Sequence, residues 1–197
     1  MTHPRRSRYV ENVFEELDNE NEYFYEEETA SLYYIFNGTQ SPTTAFEAVV
    51  NNTIVRLMGT QANPVTDVHF EGLTMRDSSY TYMEPHGVPS GGDWGLQRLG
   101  AIHLEGTTGV VLASCLVTRV DGNAVMLSGF NRNTSIVKNE FVWIGDSVVA
   151  SWGYTAPLGG GAGDEALGQY RSGIDGRNGE QPRGTLMEQN FIHECGA

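Results

Sequence analysis

The sequence lacks any uninterrupted apolar stretch of about 18 residues, the length that a helix needs to cross a bilayer. It also has little positive charge: 12 Lys and Arg, with Lys138 as the single lysine, stand against 25 Asp and Glu, for a formal net charge of -13. Binding to nucleic acid depends on basic side chains that neutralise phosphates. The composition therefore argues against nucleic acid and favours partners that are neutral, cationic or bridged by a metal.

Cysteine is scarce as well, since Cys115 and Cys195 allow one disulfide or none. The N-terminal residues 1–6 are basic, but no apolar segment follows them, so they do not form a secretory signal. N-glycosylation sequons begin at Asn37, Asn51 and Asn133, and these favour an extracellular or cell-surface glycoprotein.

An internal repeat is the main positive feature. Residues 115–129 superimpose without gaps on residues 139–153, at an offset of 24 (139 minus 115), and the pair Val125/Val149 coincides. Residues 190–196 match residues 139–145 at an offset of 51, and residues 68–75 form a fainter copy. A period this short, with β-branched and aromatic residues alternating between Gly, Asn and Asp, predicts short strands joined by tight turns. Leucine-rich repeats are disfavoured because their dense leucine spacing is absent.

Repeats of this kind bury their apolar faces by stacking, so the sequence predicts an all-β solenoid with a continuous apolar column. Asn139 and Asn190 occupy equivalent positions, where we expect a left-handed backbone and hydrogen bonds between copies. Cys195 aligns with Ile144 and not with Cys115, which predicts two buried thiols and no disulfide between them.

Other segments lie outside the repeat. Residues 9–18 carry apolar side chains at helical spacing, and residues 22–26 and 31–36 are typical of a hairpin, so we expect an entry helix and hairpin over residues 9–36. The solenoid coils are expected over residues 66–197 of a single domain. Insertions at residues 78–100 and 154–184 interrupt the coils, and such loops tend to form the walls of a binding surface.

Residues 9–18, 22–25 and 32–34 resemble the entry segment of right-handed parallel β-helix proteins of the pectin-lyase-like kind, related to β-helical glycoside hydrolases. Residues 131–146, 152–154, 175–184 and 193–194 are similar to a subfamily common in microbial eukaryotes. The resemblance implies a right-handed single-stranded parallel β-helix and action on carbohydrate. Because relatives carry sequence before the entry segment and coils after the His193-Glu194 turn, we expect this chain to be a fragment.

Glycoside hydrolysis requires two carboxyl groups, and stacked coils can supply them from neighbouring positions. Asp146 and Glu194 flank equivalent turns and are the candidate catalytic pair; Asp175, Arg183 and His193 are the candidate helpers, with His193 as a proton carrier. The candidate sugar-stacking aromatic residues are Trp94, Trp152 and Tyr154. Each has a structural alternative: Asp146 and Asp175 fit ordinary turns, and His193 and Glu194 fit a plain surface.

Metal and lyase chemistry have less support. His69, His86 and His103 lack zinc-ligand spacing, and no resident cofactor is expected, although calcium held by Asp164, Glu165 and Asp175 stays an option. A lyase acting on polyuronates needs basic residues that this chain has few of.

Two functional hypotheses therefore stand, a glycosidase acting on a polysaccharide and a non-catalytic solenoid that binds glycan at the cell surface. A third alternative is a fragment that is inactive by itself, because a cut solenoid exposes an apolar end.

Overall fold

A computed structural model describes residues 12–38, 43, 45–87, 96–154 and 179–196. The chain divides into two compact units, Met1–Ala48 and Val49–Ala197, where the sequence predicts a single domain. None of the described residues belongs to a helix long and apolar enough to span a membrane.

The described part of the first unit contains the expected hairpin, with strands β1 (Tyr23–Glu26) and β2 (Ser31–Tyr34) paired antiparallel. The expected amphipathic helix over residues 9–18 is reduced, in its described part, to a 3-10 turn at Phe14–Glu16. The ring of Phe14 lies 5.4 Å from Phe24 and 5.0 Å from Tyr33. Phe14, one of the apolar residues that predicted a helix, therefore packs against the hairpin from a single turn.

The second unit is built from strands throughout its described residues. Strands β3 to β6 span Val55–Met58, Val65–Thr66, His69–Glu71 and Thr74–Ser78, and β7 (His86–Gly87) and β8 (Leu96–Gln97) form a small antiparallel pair. The next strands are β9 (Ile102–Thr108), β10 (Val111–Ala113), β11 (Leu116–Val120), β12 (Val125–Arg132), β13 (Ser135–Val137) and β14 (Glu140–Ile144). The last are β15 (Val149–Trp152), β16 (Pro182–Arg183), β17 (Leu186–Glu188) and β18 (Phe191–Cys195).

Apart from β7 and β8, these strands form three parallel sheets. Sheet 1 has the order β3-β9-β12-β15, with β4 beside β9 and β16 beside β12; sheet 2 is β5-β10-β13-β17, and sheet 3 is β6-β11-β14-β18. The chain runs through sheets 1, 2 and 3 in turn, and the described residues make four such passes. Each pass therefore lies beside the previous one in all three sheets.

The strand register confirms the sequence repeat. Val125 pairs with Val149 and Val117 with Phe141, at the expected offset of 24. Phe141 pairs with Ile192 and Ile144 with Cys195, at the expected offset of 51. The faint copy is also real, because β5 and β6 pair with β10 and β11. The first pass begins at Val55, earlier than the predicted residue 66, and the second insertion ends before Pro182, which already pairs with Asn131.

The apolar core lies on the inward side of all three sheets. Its fully buried members are contributed by successive passes, and each side chain of this kind contributes about 1.5 to 3 kcal/mol when it leaves water. They include Ile102, Leu104, Val110, Val117, Val120, Val125, Leu127, Ile136, Phe141 and Ile144. Cys115 is buried and Cys195 half-buried, both as free thiols. Of the two thiols expected to be buried, only Cys115 therefore is.

Left-handed backbone positions recur at the same place in every pass. One column, Asp67, Gly109, Asn133 and Gly184, turns the chain from sheet 1 into sheet 2. A second column, Gly72, Ser114, Lys138 and Gln189, turns it from sheet 2 into sheet 3. The asparagine prediction was wrong on this point: Lys138 and Gln189 are left-handed, and Asn139 and Asn190 follow them.

The predicted bonding of these asparagines is confirmed. Asn139 Oδ1 accepts the backbone N–H of Cys115 at 2.9 Å, and Asn139 Nδ2 donates to the Leu112 carbonyl at 2.9 Å. Asn190 repeats both bonds one pass later, to the Asn139 N–H at 2.9 Å and the Ile136 carbonyl at 2.7 Å. The side-chain amides thus join successive passes at the corner between sheets 2 and 3.

Replacing Asn139 with Ala should lower the free energy of unfolding by about 2 to 4 kcal/mol, because two buried backbone groups lose their partners. Urea denaturation followed by circular dichroism measures this loss. Asn190→Ala removes equivalent bonds from a half-buried corner that water reaches, and should cost less, about 1 kcal/mol. An Asn139→Ala protein as stable as the parent, or less affected than Asn190→Ala, would contradict the interpretation.

Candidate functional site

The outer face of sheet 3 holds two of the predicted catalytic residues. His193 and Glu194 lie in β18, and Glu194 is exposed. The His193 Nε2 atom lies 3.0 Å from Glu140 Oε1 on the neighbouring strand, and its ring stacks on Phe191 with 4.4 Å between centroids. His193 is therefore held against the sheet by a carboxylate and an aromatic ring.

A third left-handed column runs along this face. In each strand of sheet 3 the residue before the last paired position has a positive φ, and we call Asp77, Arg119, Trp143 and Glu194 the bend column. A left-handed conformation costs a residue with a side chain roughly 1 to 2 kcal/mol. None of the four is glycine, and strain of this kind tends to collect at functional sites. The bend column therefore makes the outer face of sheet 3 a candidate functional surface.

Trp143 is the aromatic residue of this column, and like Asp77 and Arg119 it was not assigned to the site from the sequence. Its side chain is 59% exposed, and it lies between Arg119 on the previous pass and Glu194 on the next. Arg119 donates two hydrogen bonds to the Asp77 carboxylate, at 2.5 and 3.0 Å. The outer face thus presents a flat aromatic ring between charged groups.

Asp146 lies at the edge of the same sheet, in the turn after β14. Its side chain is exposed and accepts a hydrogen bond from Ser147 Oγ at 3.3 Å, and its backbone N–H donates to the Gly122 carbonyl at 3.2 Å. Since Ile144 pairs with Cys195, Asp146 and Glu194 lie on neighbouring passes, on either side of that pair. Asp146 and Glu194 therefore lie towards one edge of sheet 3, where both carboxylates are open to water, whereas His193 contacts Glu140 at the start of β14.

Arg183, another predicted helper, does not join this edge. Arg183 is exposed in β16, which pairs with β12 in sheet 1. Trp94, Asp175 and the calcium candidates Asp164 and Glu165 lie outside the described residues. The described segments hold no group of three or more His, Cys, Asp and Glu placed to bind a metal.

Trp152 and Tyr154 lie instead on the outer side of sheet 1, where both rings contact Arg98. The Arg98 guanidinium lies 4.1 Å from the Trp152 ring centroid and 4.6 Å from that of Tyr154. It also donates to Ser128 Oγ at 3.1 Å and to the Trp152 carbonyl at 2.7 Å. One face of each ring is therefore occupied from within the protein, which leaves these rings poorer platforms for a sugar than Trp143.

Glu105 is the centre of this sheet 1 cluster. Its carboxylate accepts hydrogen bonds from Ser128 Oγ at 2.7 Å and from the Tyr154 hydroxyl at 3.1 and 3.2 Å. His103 Nε2 lies at 3.5 Å, which is too long for a good hydrogen bond but close enough for attraction when the ring is protonated. The Tyr154 ring packs against Gly129, where a Cβ atom would lie 2.6 Å from it.

These contacts set the charge of Glu105. Burial by itself raises the pKa of this carboxyl, whose side chain is 21% exposed, but His103, Ser128 and Tyr154 outweigh burial and lower the pKa to about 2. Burial and the neighbouring Glu105 charge raise the pKa of Tyr154. Glu105 is thus ionised at neutral pH and is not suited to act as a general acid.

Sequence reasoning missed Glu105, although a signal exists. At this place each of the four passes has a residue before glycine in sheet 1: Met58 before Gly59, Glu105 before Gly106, Ser128 before Gly129 and Trp152 before Gly153. Once the strands are in register, these residues form one outward column.

Comparison with protein-family models, curated proteins and solved structures finds no match to this chain.

Glu105→Gln should lower the free energy of unfolding at pH 7 by roughly 2 to 3 kcal/mol, because the folded state holds the ionised form. Because the folded pKa of about 2 lies below the ordinary value of 4.5, this stability is present above pH 4.5 and lost as the pH falls towards 2. Urea denaturation of both proteins between pH 2 and 7 measures the difference, which should shrink over that interval.

Glu71→Gln is the matched control, because Glu71 is an exposed carboxylate on sheet 2. It should change stability by less than about 0.5 kcal/mol. A difference between parent and Glu105→Gln that stayed constant below pH 4.5 would show that the charge of Glu105 is not the stabilising feature.

Proposed function

We propose that the second unit is a right-handed parallel β-helix whose outer face along sheet 3 binds polysaccharide. The described strands form three parallel sheets, and the chain passes through sheets 1, 2 and 3 in the same order each time. Both observations support this fold. Connections between parallel neighbouring strands are right-handed in about 98% of cases, which supports the handedness. The sequence resemblance to β-helical carbohydrate-active proteins points the same way.

The observation that carries the proposal is the exposure of Trp143. Aromatic side chains combine a large apolar face with polar surroundings, and sugar rings present apolar C–H faces that stack on them. Neighbouring strands lie about 4.8 Å apart, so the bend column presents one side chain at each such step along the stack. A polysaccharide that follows the stack meets Arg119, Trp143 and Glu194 in succession.

Binding is better supported than hydrolysis. A glycosidase needs one carboxyl group kept protonated as an acid, which usually means a sheltered position, and a second about 5 to 9.5 Å away. Asp146 and Glu194 share one sheet edge, which favours them as the pair if hydrolysis occurs, but both are exposed. Glu105, the half-buried carboxyl, is held ionised. We therefore place binding first and hydrolysis second.

Replacing Trp143 should weaken glycan binding at least about tenfold, since a central aromatic contact contributes more than about 1 kcal/mol. Trp143→Asn removes the ring and keeps a residue that accepts the left-handed backbone, whereas Trp143→Tyr retains an aromatic face and should retain part of the affinity. Affinity electrophoresis in gels containing single soluble glycans, with isothermal titration for those that retard the protein, measures the change.

Leu186→Ala is the control, because Leu186 is a 46% exposed apolar residue on the outside of sheet 2. It should leave binding unchanged. Retention of full affinity by Trp143→Asn, or an equal loss in Leu186→Ala, would refute binding at this face.

The same glycan panel separates binding from hydrolysis. We expect retardation without release of reducing ends. Release of reducing ends that Asp146→Asn and Glu194→Gln each abolish, while both variants still bind the glycan, would instead establish the hydrolase alternative, because removal of either carboxyl stops the chemistry and leaves the stacking ring in place.

A further inference from the structure

We infer that the polysaccharide bound along sheet 3 carries free amino groups, as deacetylated amino sugars do. This inference rests on the proposed function, since it names the class of glycan for the same face. It follows from the charged side chains around Trp143. Some of them are paired with an oppositely charged group of the protein, and others are not.

The carboxylates next to Trp143 are available to a ligand. Glu194 follows Trp143 in the bend column, and Asp146 lies three residues after Trp143, in the turn that ends the strand. Both side chains are exposed, and within the described part of the chain neither has a basic group at ion-pair distance. Glu194 is thus the neighbour of Trp143 in the bend column, and Asp146 adds a second negative charge in the turn after the same strand.

The neighbouring basic side chains are already engaged by carboxylates of the protein. Arg119 binds Asp77 through two hydrogen bonds, and Arg76 lies 3.3 Å from the same carboxylate. His193 lies 3.0 Å from Glu140. Arg76 and Arg119 share one carboxylate, but the four carboxylates of Asp77, Glu140, Asp146 and Glu194 outnumber these two arginines and His193. The surface around Trp143 therefore carries net negative charge, within a chain of net charge -13.

An ammonium group on a sugar can interact with both the Trp143 ring and the neighbouring carboxylates. It is attracted to the face of an indole ring within about 6 Å, and it forms ion pairs with carboxylates. A uronate polymer carries the opposite charge and is repelled here, and an acetylated amino sugar keeps the stacking contact but loses the ion pairs. The charge pattern therefore ranks amine-bearing glycan first, neutral glycan second and uronate last.

Paired oligomers test this ranking, with the intact chain and isothermal titration as the readout. The probes are a hexamer of glucosamine, the N-acetylated hexamer and a hexamer of galacturonate, at a pH where the sugar amines are charged. Two exposed ion pairs predict that the glucosamine hexamer binds about threefold to tenfold more tightly than its acetylated counterpart. Added salt should reduce that preference, because exposed charges are screened.

Charge variants locate the effect. Glu194→Gln and Asp146→Asn should each reduce the preference for the amine, and the double variant should abolish the difference in affinity between the two hexamers. Glu188→Gln is the control, because Glu188 is an exposed carboxylate of the same pass but on sheet 2. Circular dichroism checks that each variant folds.

Three results would overturn the inference. Equal binding of both hexamers that depends on Trp143, or binding of a neutral glucan alone, leaves the proposed function in place and removes the amine preference. An equal effect of Glu188→Gln assigns the preference to the net charge of the chain and not to this site. Absence of binding to every glycan tested removes the proposed function and the inference together.

Discussion

The parallel pairing of each pass with the one before it, in constant register, is the constraint on which the rest of the structure depends. No single pass can bury its own apolar side chains, so Val125 becomes a core residue only because Ile102 and Val149 extend the same column. The side-chain amides of Asn139 and Asn190 fix this register at one corner. Once the register is fixed, the outward-facing residues at equivalent positions of successive passes also form columns. The candidate sites lie in such columns.

Much of the second unit was accessible from the sequence because the repeat is a physical requirement. Stacked strands need apolar residues at the same inward positions, so the offsets of 24 and 51 are visible in the sequence alone as coincidences of Val, Ile and Phe. The left-handed backbone positions at the corners between the sheets were harder to predict from the sequence. A left-handed position accepts Lys138, Ser114 and Gln189 here as well as glycine, so residue type does not reveal it. The sheet 1 part of the first pass was also missed, because Val55–Met58 is too short to show a period.

The functional side chains were only partly predictable, because the side on which a residue points depends on local backbone geometry. The sequence placed His193 and Glu194 at a turn, whereas the structure has both in strand β18, and the expected sugar platforms were Trp94, Trp152 and Tyr154 and not Trp143. The bend in sheet 3 leaves Trp143 exposed, whereas Arg98, more than 50 residues away in sequence, occupies one face of Trp152. Long-range contacts of that kind follow from the insertion around Arg98, which has no counterpart in the repeat.

The bend column differs from the corner columns in its side chains and not in its backbone strain. Glycine fits a left-handed position without steric cost, and the chain uses it at Gly109 and Gly184 in the corner between sheets 1 and 2. Sheet 3 instead places an aspartate, an arginine, a tryptophan and a glutamate there, each in a strained conformation and three of them exposed. The corner between sheets 2 and 3 accepts the same strain at Ser114, Lys138 and Gln189, so strain by itself does not distinguish sheet 3. What distinguishes sheet 3 is the chemistry of its side chains, because an exposed indole ring stands between charged groups there, and this is the feature on which the proposed binding of a glycan depends.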